Sequence, residues 1–403
     1  MLFNQSKQKY GFVLGHAWEL SKAEIENLFR FMGIAYQTIF LNEQVFIIET
    51  NNQITVQELQ ERLGGTVKIS HIANRSPRLG VEAGISRIEL KEAIGEVVKN
   101  RRLKIKDQKY QFGFSIYGKA DIKDFKRIGL EIKKQLKERG VKSRFVVSKE
   151  PNLSSVIVQK EKLLDQGVDV VIIPSEDQFY LGYTLSVQKF EDYSKRDYGR
   201  PQRDDKSGLL PPKLAKMMLN LSRTAVDQKI LDPFCGSGTI IQEALLLGYK
   251  NIIGSDVSKK AVEFTQNNLK WLKTKLNVDL SGVEVYQLDV KKLSEKIRPE
   301  SINTVITEPY LGPSLKISNP AKVIKDLSKL YLSAFEEFFK VLKKGGKVVI
   351  IFPIVNNQKL DVLNDIKRMG FIIEPLGEEP RRSIIYSRPG QRVQREIFVF
   401  RRN

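Results

Sequence analysis

The chain has 403 residues, a length that predicts two or three domains. Lys and Arg number 67 against 47 Asp and Glu, so the formal net charge is +20, which favours a polyanionic partner such as nucleic acid or an anionic membrane surface. A hydrophobic fraction of 41% excludes a wholly disordered chain, and the single cysteine, Cys235, excludes an intrachain disulfide and fits a reducing, cytoplasmic location.

The sequence carries no signal for a membrane segment or a zinc site. The apolar run after Met1 breaks at Asn4, so no signal peptide is predicted. No stretch reaches about 18 uninterrupted apolar residues, and the longest runs, such as 347–353, are typical of buried strands. Two histidines and one cysteine are too few for the usual Cys/His zinc site. We therefore expect a soluble protein with no membrane and no metal partner.

The excess positive charge lies in two segments. Residues 99–149 hold 17 Lys or Arg against 5 Asp or Glu, a net of +12, and residues 381–403 hold 7 Arg against one Glu, a net of +6. Phosphate binding needs such local positive density, which favours nucleic acid as the partner. For the basic helix predicted near 123–139, a solvated face of Lys and Arg is an equally good explanation.

The first 70 residues predict a small α+β unit of the split βαβ kind. Ser21 and Glu24 match the capping box that opens a helix, which runs to about Met32. Gly64 and Gly65 end a second helix that begins near residue 56. The predicted strands are 10–14, 36–41, 45–49 and 67–71, and the middle two form a hairpin.

The next segment, to about residue 190, predicts a second α+β unit that carries most of the positive charge. The predicted strands are 110–117, 141–148, 168–174 and 178–188, and the predicted helices are 87–100 and 121–139, with a further helix overlapping a strand at 153–160. Region 189–213 is polar and rich in Pro and Gly, which predicts a linker.

From about residue 207 strands and helices alternate, which predicts an α/β fold with a doubly wound parallel sheet. The predicted strands are 229–232, 251–255, 283–288, 303–307 and 347–352, and the predicted helices are 212–221, 239–247, 258–274, 319–343 and 357–369. Two further strands, 383–387 and 396–401, flank Arg388-Pro389-Gly390 and predict an antiparallel terminal hairpin.

A glycine loop, DPFCGSGT over 232–239, stands directly between a predicted strand and a predicted helix. Glycines let a ligand approach the backbone, and the helix N-terminus adds a positive dipole end. A dinucleotide fingerprint would need glycine where Ile241 stands, and a Walker loop is absent, so a small zwitterionic nucleoside suits the loop better. Cys235 is interpreted as a small packed residue and not as the nucleophile of a cytosine-C5 methyltransferase.

Two more acids follow successive strands. Asp256 closes the next strand, where a carboxylate can take both hydroxyls of a ribose, and Asp289 closes the one after, where it can accept the exocyclic amine of adenine. Each acid alone is also explained as a turn or N-cap residue. Together with Asp232 and the glycine loop, they predict a ligand crevice at the carboxyl edge of the sheet.

Thr307-Glu308-Pro309-Tyr310 follows the fourth strand and supplies the catalytic candidates. Methylation of an exocyclic amine requires a free lone pair on nitrogen. The Glu308 side chain and the Pro309 carbonyl can accept the two N–H bonds and turn that lone pair toward the methyl donor, while Tyr310 stacks on the extruded base. The plainer interpretation is a strand end followed by a proline turn.

These motifs resemble a known family. DPFCGSGT with the later acid-Pro-Tyr is similar to amino-methyltransferases that use S-adenosylmethionine, and RDYGRPQRDDKSGLLPPKLAKMMLNLS (196–222) resembles the segment before that loop in tRNA guanine-N2-methyltransferases. YQFGFSIYG (110–118) and RFVVSKEPNLSSVIV (144–158) resemble THUMP segments, and LGHAWELSKAEIENLF (14–29) resembles the ferredoxin-like N-terminus of the same proteins. The likeness covers nearly the whole chain and is strongest to the enzymes that act on guanosine 10 of tRNA.

The resemblance implies three domains: a ferredoxin-like domain over 1–70, a THUMP RNA-binding domain over 71–190, and a Rossmann-like class I methyltransferase domain over 191–403 that includes a linker at 191–206. It implies S-adenosylmethionine as the cofactor, with the methionine part held by the glycine loop and covered by Leu210 and Pro211. The implied cofactor-binding residues are Leu210, Pro211, Asp232, Pro233, Phe234, Cys235, Gly236, Gly238, Thr239, Asp256, Val257, Asp289 and Val290.

One departure concerns the catalytic motif, which in the family reads Asp/Asn-Pro-Pro-Tyr/Phe. Aligned on Pro-Tyr, Thr307 takes the position of the acid; aligned on the acid, Glu308 replaces it. We therefore predict a tRNA guanosine N2-methyltransferase in which Thr307 or Glu308 fills the position of the family's acid. The alternatives are another guanosine in tRNA or ribosomal RNA as substrate, a non-catalytic RNA-binding protein, and a DNA adenine methyltransferase.

The RNA contacts are expected in the basic segment of the THUMP-like half, and the resemblance implies that this half grips the acceptor end of tRNA. The predicted phosphate contacts are Lys99, Arg101, Arg102, Lys104, Arg144 and Lys149.

Overall fold

The computed structural model describes residues 7–73, 87–102, 109–119, 122–176, 178–203, 209–313, 319–387, 391 and 393–403, without the side chains of Arg87 and Arg102. The chain divides into two compact units. Unit 1 comprises Met1–Trp18, Ile34–Glu61 and Thr66–Phe190, and unit 2 comprises Glu19–Gly33, Arg62–Gly65 and Glu191–Asn403. Residues 19–33 thus group with the C-terminal half of the sequence and not with their neighbours along the chain. The predicted division into three domains stays a prediction.

Unit 1 contains one sheet of eight strands in the order β2-β3-β1-β4-β8-β7-β5-β6. The strands are β1 Gln8–Leu14, β2 Gln37–Leu41, β3 Val45–Thr50, β4 Thr66–Ile72, β5 Tyr110–Ile116, β6 Ser143–Val146, β7 Gly167–Pro174 and β8 Phe179–Val187. Neighbours pair antiparallel except β5, which runs parallel to β6 and β7. The predicted hairpin of β2 and β3 is confirmed.

The first five helices are α1 Trp18–Met32, α2 Val56–Arg62, α3 Arg87–Arg102, α4 Ile122–Glu138 and α5 Ser155–Lys160. Helix α4 buries Phe125, Ile128, Ile132 and Leu136, which recur every three or four residues and so form one face toward the sheet. A Cβ at Gly129 would lie 2.2 Å from the Phe145 ring, so only glycine lets the helix pack this closely. The basic side chains of α4 fall on its other face.

Unit 2 contains the predicted α/β sheet, in the order β11-β10-β9-β12-β13-β16-β14, with β15 paired to β16. Its strands are β9 Lys229–Asp232, β10 Asn251–Asp256, β11 Val283–Gln287, β12 Ile302–Thr307, β13 Leu342–Val355, β14 Phe371–Glu374, β15 Ile384–Tyr386 and β16 Val393–Arg402. Strands β9 to β13 are parallel, and β16 is antiparallel to β13, β14 and β15. The predicted fold class and terminal hairpin are confirmed, although the turn 388–390 lies outside the described residues.

The remaining helices are α6 Phe190–Tyr198, α7 Pro212–Ser222, α8 Thr239–Leu246, α9 Lys259–Leu276, α10 Leu293–Lys296, α11 Pro320–Val341 and α12 Leu363–Arg368, with a 3-10 turn at Val290–Lys292. Aromatic side chains of α11 pack edge to face against the sheet: the Phe335 ring lies 5.1 Å from Phe371 and 5.0 Å from Phe400. This core fixes α11 against the strands that carry the site.

Two sequence-based expectations are wrong in part. The predicted linker 189–213 contains helix α6, because Arg196 turns inward and donates from Nε to the buried Glu243 at 2.5 Å. The helix predicted over 357–369 forms only at its end: β13 extends to Val355, and Asn356 and Asn357 take positive φ angles of 47° and 62°, which end the strand in a turn. Strand β14 was not predicted.

Candidate active site

The glycine loop joins β9 to α8 as the sequence predicts. Gly236 and Gly238 have φ angles of 53° and 82°, in the left-handed region that glycine adopts without strain. A Cβ at position 238 would lie 2.9 Å from Cγ2 of Thr265, so both backbone angle and space require glycine there. The loop is thereby folded tightly between the strand end and the start of α8.

All three predicted acids lie at the carboxyl edge of the sheet, where the parallel strands end together. Asp256 accepts from the backbone N–H of Gly236 at 3.1 Å and of Ser258 at 2.9 Å. Asp289 caps the 3-10 turn and accepts from the N–H of Lys291 at 3.0 Å. The acids are therefore turn and cap residues, and they also line one cavity.

That cavity has a volume of about 530 Å³, within the range of small-molecule sites. Eleven of the predicted cofactor residues line it: Leu210, Asp232, Pro233, Phe234, Cys235, Gly236, Thr239, Asp256, Val257, Asp289 and Val290. Pro211 and Gly238 do not line it; they shape the backbone at the start of α7 and α8. Its mixture of carboxylates, apolar side chains and a glycine loop fits an adenosyl group with a charged amino-acid tail.

Asp232 is the most deeply buried of these acids, at 3% exposure. Its Oδ1 accepts from Oγ1 of Thr307 at 2.7 Å and from the N–H of Phe234 at 3.3 Å. Burial raises the pKa of Asp232 to about 7, against the opposing effect of these hydrogen bonds. Burial also raises the pKa of Asp256, and it raises the pKa of the Cys235 thiol, so Cys235 is a poor nucleophile.

Thr307 and Glu308, the two candidates for the position of the family's acid, differ in their surroundings. Thr307 is fully buried, and its hydroxyl is used by Asp232. Glu308 lines the cavity with Pro309 and Tyr310, and Tyr310 is 51% exposed. Glu308, not Thr307, therefore presents a carboxylate at the cavity, while Tyr310 offers an accessible aromatic face beside it.

Sequence reasoning missed several residues of the site. Arg395 on β16 donates from Nε to Oε1 of Glu308 at 2.6 Å, and no spacing rule links residues 87 positions apart. Phe264 and Lys260 on α9 also line the cavity, and they could have been found from the helix that follows Asp256. The further lining residues are Leu209, Ser237, Ile240, Ser258, Ala261, Lys291, Leu311 and Leu330.

The predicted phosphate contacts lie in unit 1 and differ in their surroundings. Lys99 and Lys149 are exposed. Arg144 is paired with Glu161 at 2.9 Å, and the Arg101 guanidinium lies 4.5 Å from the centre of the Tyr183 ring. Lys104 and the side chain of Arg102 lie outside the described residues, so these two predictions have no structural counterpart.

Most of the described arginines in the second basic segment, 381–403, are paired with acids. Among its described arginines, four are paired with acids: Arg381 with Glu19 and Glu379, Arg395 with Glu308, Arg401 with Glu374, and Arg402 with Glu300. The density of positive charge in this part of the sequence therefore does not translate into an equal number of unpaired cations.

Among the described residues, no group of three or more His, Cys, Asp or Glu side chains is placed to hold a metal ion. None of the helices in the described segments is long and apolar enough to cross a membrane.

Strand order, glycine loop and acidic edge together define the fold of a class I S-adenosylmethionine-dependent methyltransferase. The sequence model of a protein family described as an RMKL-like methyltransferase domain matches residues 200–363 of the chain. A second family model, that of a DNA methylase, matches residues 90–267. Among solved structures, TrmN from Thermus thermophilus matches with a TM-score of 0.57 at 18% identity, covering 98% of this chain and 100% of that one. SMU.472, a putative methyltransferase complexed with SAH, matches with a TM-score of 0.53 at 14% identity, covering 98% of each chain.

Curated relatives are more specific. The tRNA (guanine(10)-N2)-dimethyltransferase of Pyrococcus abyssi is 24% identical over 83% of this chain and 93% of its own. That of Methanothermobacter thermautotrophicus is 30% identical over 44% of this chain, and the match spans about half, 48%, of the relative. A probable enzyme of the same name from Methanothermococcus thermolithotrophicus is 30% identical over 38% of this chain and 86% of the relative. The chain belongs to this family of tRNA (guanine(10)-N2)-dimethyltransferases, which confirms the predicted resemblance.

Proposed function

We propose that the protein transfers methyl groups from S-adenosylmethionine to the exocyclic N2 of a guanosine in tRNA, with position 10 as the first site to test. One observation carries the proposal: Glu308, Pro309 and Tyr310 line the same cavity as Asp232, Asp256 and Asp289. A methyl acceptor and an adenosyl donor thus have adjoining places in one pocket. The names of the curated relatives supply guanosine and tRNA as the substrate.

Different residues of the cavity would bind the methyl donor and the methyl acceptor. Asp256 would hold the ribose hydroxyls, Asp289 the adenine amine, and the glycine loop the methionine part. Bound S-adenosylmethionine supplies an electrophilic methyl group on a sulfonium. Glu308 and the Pro309 carbonyl would accept the two N–H bonds of the guanine amine and orient its lone pair, and Tyr310 would stack on the base.

The direct test is nucleoside mass spectrometry of unmodified total tRNA incubated with the protein and labelled cofactor. Labelled N2-methylguanosine or N2,N2-dimethylguanosine is expected, and a transcript with adenosine at position 10 should take up no label. Cofactor binding without any labelled guanosine would contradict the proposal and leave an RNA-binding protein or a different RNA substrate.

A second candidate is a DNA amino-methyltransferase, which the DNA methylase match over residues 90–267 favours. Duplex DNA added as competitor decides between the two. We expect S-adenosylhomocysteine release to require tRNA and to be unaffected by equimolar duplex DNA; release with DNA alone would support the second candidate.

The THUMP-like half is proposed to bind the tRNA through the basic residues of unit 1. The exposed Lys99 and Lys149 are its best-supported contacts, since Arg144 is already engaged by Glu161. A cytoplasmic location is consistent with a tRNA substrate and stays a prediction.

A further inference from the structure

The last long strand of the chain reaches into the candidate active site. Arg395 of β16 donates from Nε to Oε1 of Glu308 at 2.6 Å, and its Nη2 lies 3.5 Å from the backbone carbonyl of Leu209. Both Leu209 and Glu308 line the cavity. One guanidinium therefore contacts the acceptor side of the cavity and the segment that leads into α7.

This ion pair is more buried than most of the ion pairs among the described residues. The side chains of Arg395 and Glu308 are only 9% and 12% exposed, so solvent screens them little. A hydrogen bond between two charged groups is short and directional. Removing one partner would leave the other charge poorly compensated in a partly desolvated place.

The strand that carries Arg395 is a rigid support. In register, Arg395 stands beside Pro353 of β13 on one side and Tyr386 of β15 on the other. A free glutamate side chain has several rotatable bonds and loses entropy when it is fixed in one orientation. Contact with an arginine on a strand that is paired on both sides removes most of that freedom before substrate arrives, which is how a supporting residue makes a site accurate.

The ion pair also explains how Glu308 can replace the aspartate of the family motif. Glu308 is one methylene longer than aspartate and would be less constrained without a partner. Arg395 occupies Oε1 of the carboxylate, and Oε2 remains an acceptor. The other paired arginines of the segment serve elsewhere: Arg401 contacts Glu374 at 3.2 Å, and neither residue lines the cavity.

We propose that Arg395 is the positioning residue for Glu308: it holds one carboxylate oxygen so that the other accepts an N–H of the target amine, and it ties Glu308 to the Leu209 carbonyl. This inference rests on the proposed methyl transfer for its kinetic consequences. Its structural content, the orientation of Glu308, does not depend on it.

The test is a double-mutant cycle on the full chain, with Arg395→Met, Glu308→Ala and the double variant. We expect Arg395→Met to lower kcat about 10²-fold, the size typical of losing an oriented polar group at a reacting centre. The KM values for tRNA and cofactor should change less than about threefold, because binding of neither uses Arg395 directly. The kcat of Arg395→Lys should be about tenfold higher than that of Arg395→Met, since lysine keeps the charge but lacks the planar guanidinium.

The cycle separates positioning from general support. The double variant should be no slower than Glu308→Ala, because Arg395 acts only through Glu308. Arg401→Met, a matched loss of an ion-paired arginine on the same strand, should leave kcat within about twofold. Two results would overturn the assignment. One is a kcat of the double variant about 10²-fold below that of Glu308→Ala; the other is an effect of Arg395→Met that raises the KM values instead of lowering kcat.

A crystal structure of Arg395→Met with S-adenosylhomocysteine keeps the two hypotheses apart. If wild-type protein methylates no tRNA but Glu308 is turned away in the variant, the positioning role stands and the proposed function fails. If the Glu308 carboxylate keeps its place in the variant, the positioning role is wrong whatever the activity.

Discussion

Two buried carboxylates, one in each unit, differ in their role: one stabilises the fold, and the other lines the candidate active site. Asp169 in the sheet of unit 1 is completely buried, and Asp232 at the edge of the unit 2 sheet is 3% exposed. Asp169 accepts from Ser115 at one oxygen and from Lys68 and Thr184 at the other, each at 2.7 Å. Asp232 has hydroxyl and amide donors, and within the described segments it has no lysine or arginine in an ion pair.

The difference lies in compensation of the charge. A buried carboxylate that is paired and fully hydrogen-bonded is a structural element, because nothing more can bind to it. A buried carboxylate without a cation has a raised pKa, and it can still bind a charged or polar ligand. Asp232 and the partly buried Asp256 are of the second kind, which is why their substitution should affect ligands more than stability.

The largest effect is expected at Asp256. Asp256→Ala should weaken S-adenosylhomocysteine about 10²- to 10⁴-fold, the loss of two hydrogen bonds from ribose hydroxyls to a charged acceptor. Titration calorimetry measures it, with Asp279→Ala as the control because Asp279 is an exposed loop acid away from the cavity. tRNA affinity should be unchanged. Normal cofactor binding by Asp256→Ala would contradict the ribose assignment.

The structural acid should behave in the opposite way. Asp169→Ala leaves Lys68, which is 1% exposed, without its partner, and breaking such a buried pair costs about 3–5 kcal/mol. Urea unfolding should show the loss, while cofactor affinity of the folded fraction stays normal. Lys189→Met, which removes a half-exposed ion pair with Glu61, should cost about 1 kcal/mol or less.

A double variant sharpens the contrast. Lys68→Met with Asp169→Leu removes both charges, so it should recover much of the stability that Asp169→Ala loses. No recovery would mean that the hydrogen bonds from Ser115 and Thr184, and not the charge, make Asp169 necessary.

A smaller effect is expected from pH, through Glu24. This carboxylate is buried in unit 2, where it accepts from the N–H groups of Gly64 and Gly65 at 2.8 Å and from Asn220 at 2.7 Å. Burial raises the pKa of Glu24 from 4.5 to about 7. The folded state then holds the proton more tightly than the unfolded state, so the stabilisation is complete below about pH 4.5 and lost as the pH rises through about 7.

Urea unfolding at pH 5 and pH 8 measures this dependence. The wild type should lose a few kcal/mol between the two values, and Glu24→Gln should lose less, since it has no proton to release. Asp232 titrates in the same window and leaves a residual slope. An unchanged slope in Glu24→Gln would show that Glu24 does not titrate there.

The extent to which the sequence predicts the molecule follows from the range of the interactions. The parallel sheet and the glycine loop depend on local periodicity and on residues a few positions apart, and both are confirmed. The Arg395–Glu308 pair joins residues 87 positions apart, and the buried Lys68–Asp169 pair joins residues 101 apart. Neither leaves a local pattern, because tertiary packing alone creates it.

Composition misleads for the same reason. Region 189–213 is polar, yet helix α6 forms in it because Arg196 finds a buried acid in Glu243. The C-terminal arginines raise the local charge in the sequence, but their acidic partners, such as Glu300 and Glu374, lie far away along the chain. Net charge over a segment counts cations without showing which of them are already paired.

The smallest effect tests that last distinction on RNA binding. Lys99 and Lys149 are exposed in unit 1, whereas Arg401 and Arg402 are held by acids. Each lysine changed to glutamate should weaken tRNA binding severalfold and lower the slope of log affinity against log salt by about 1, one phosphate contact each. Arg401→Glu should leave the slope unchanged. If the C-terminal variant lowers it and the lysine variants do not, the paired arginines exchange their acids for phosphates, and the RNA surface lies in unit 2.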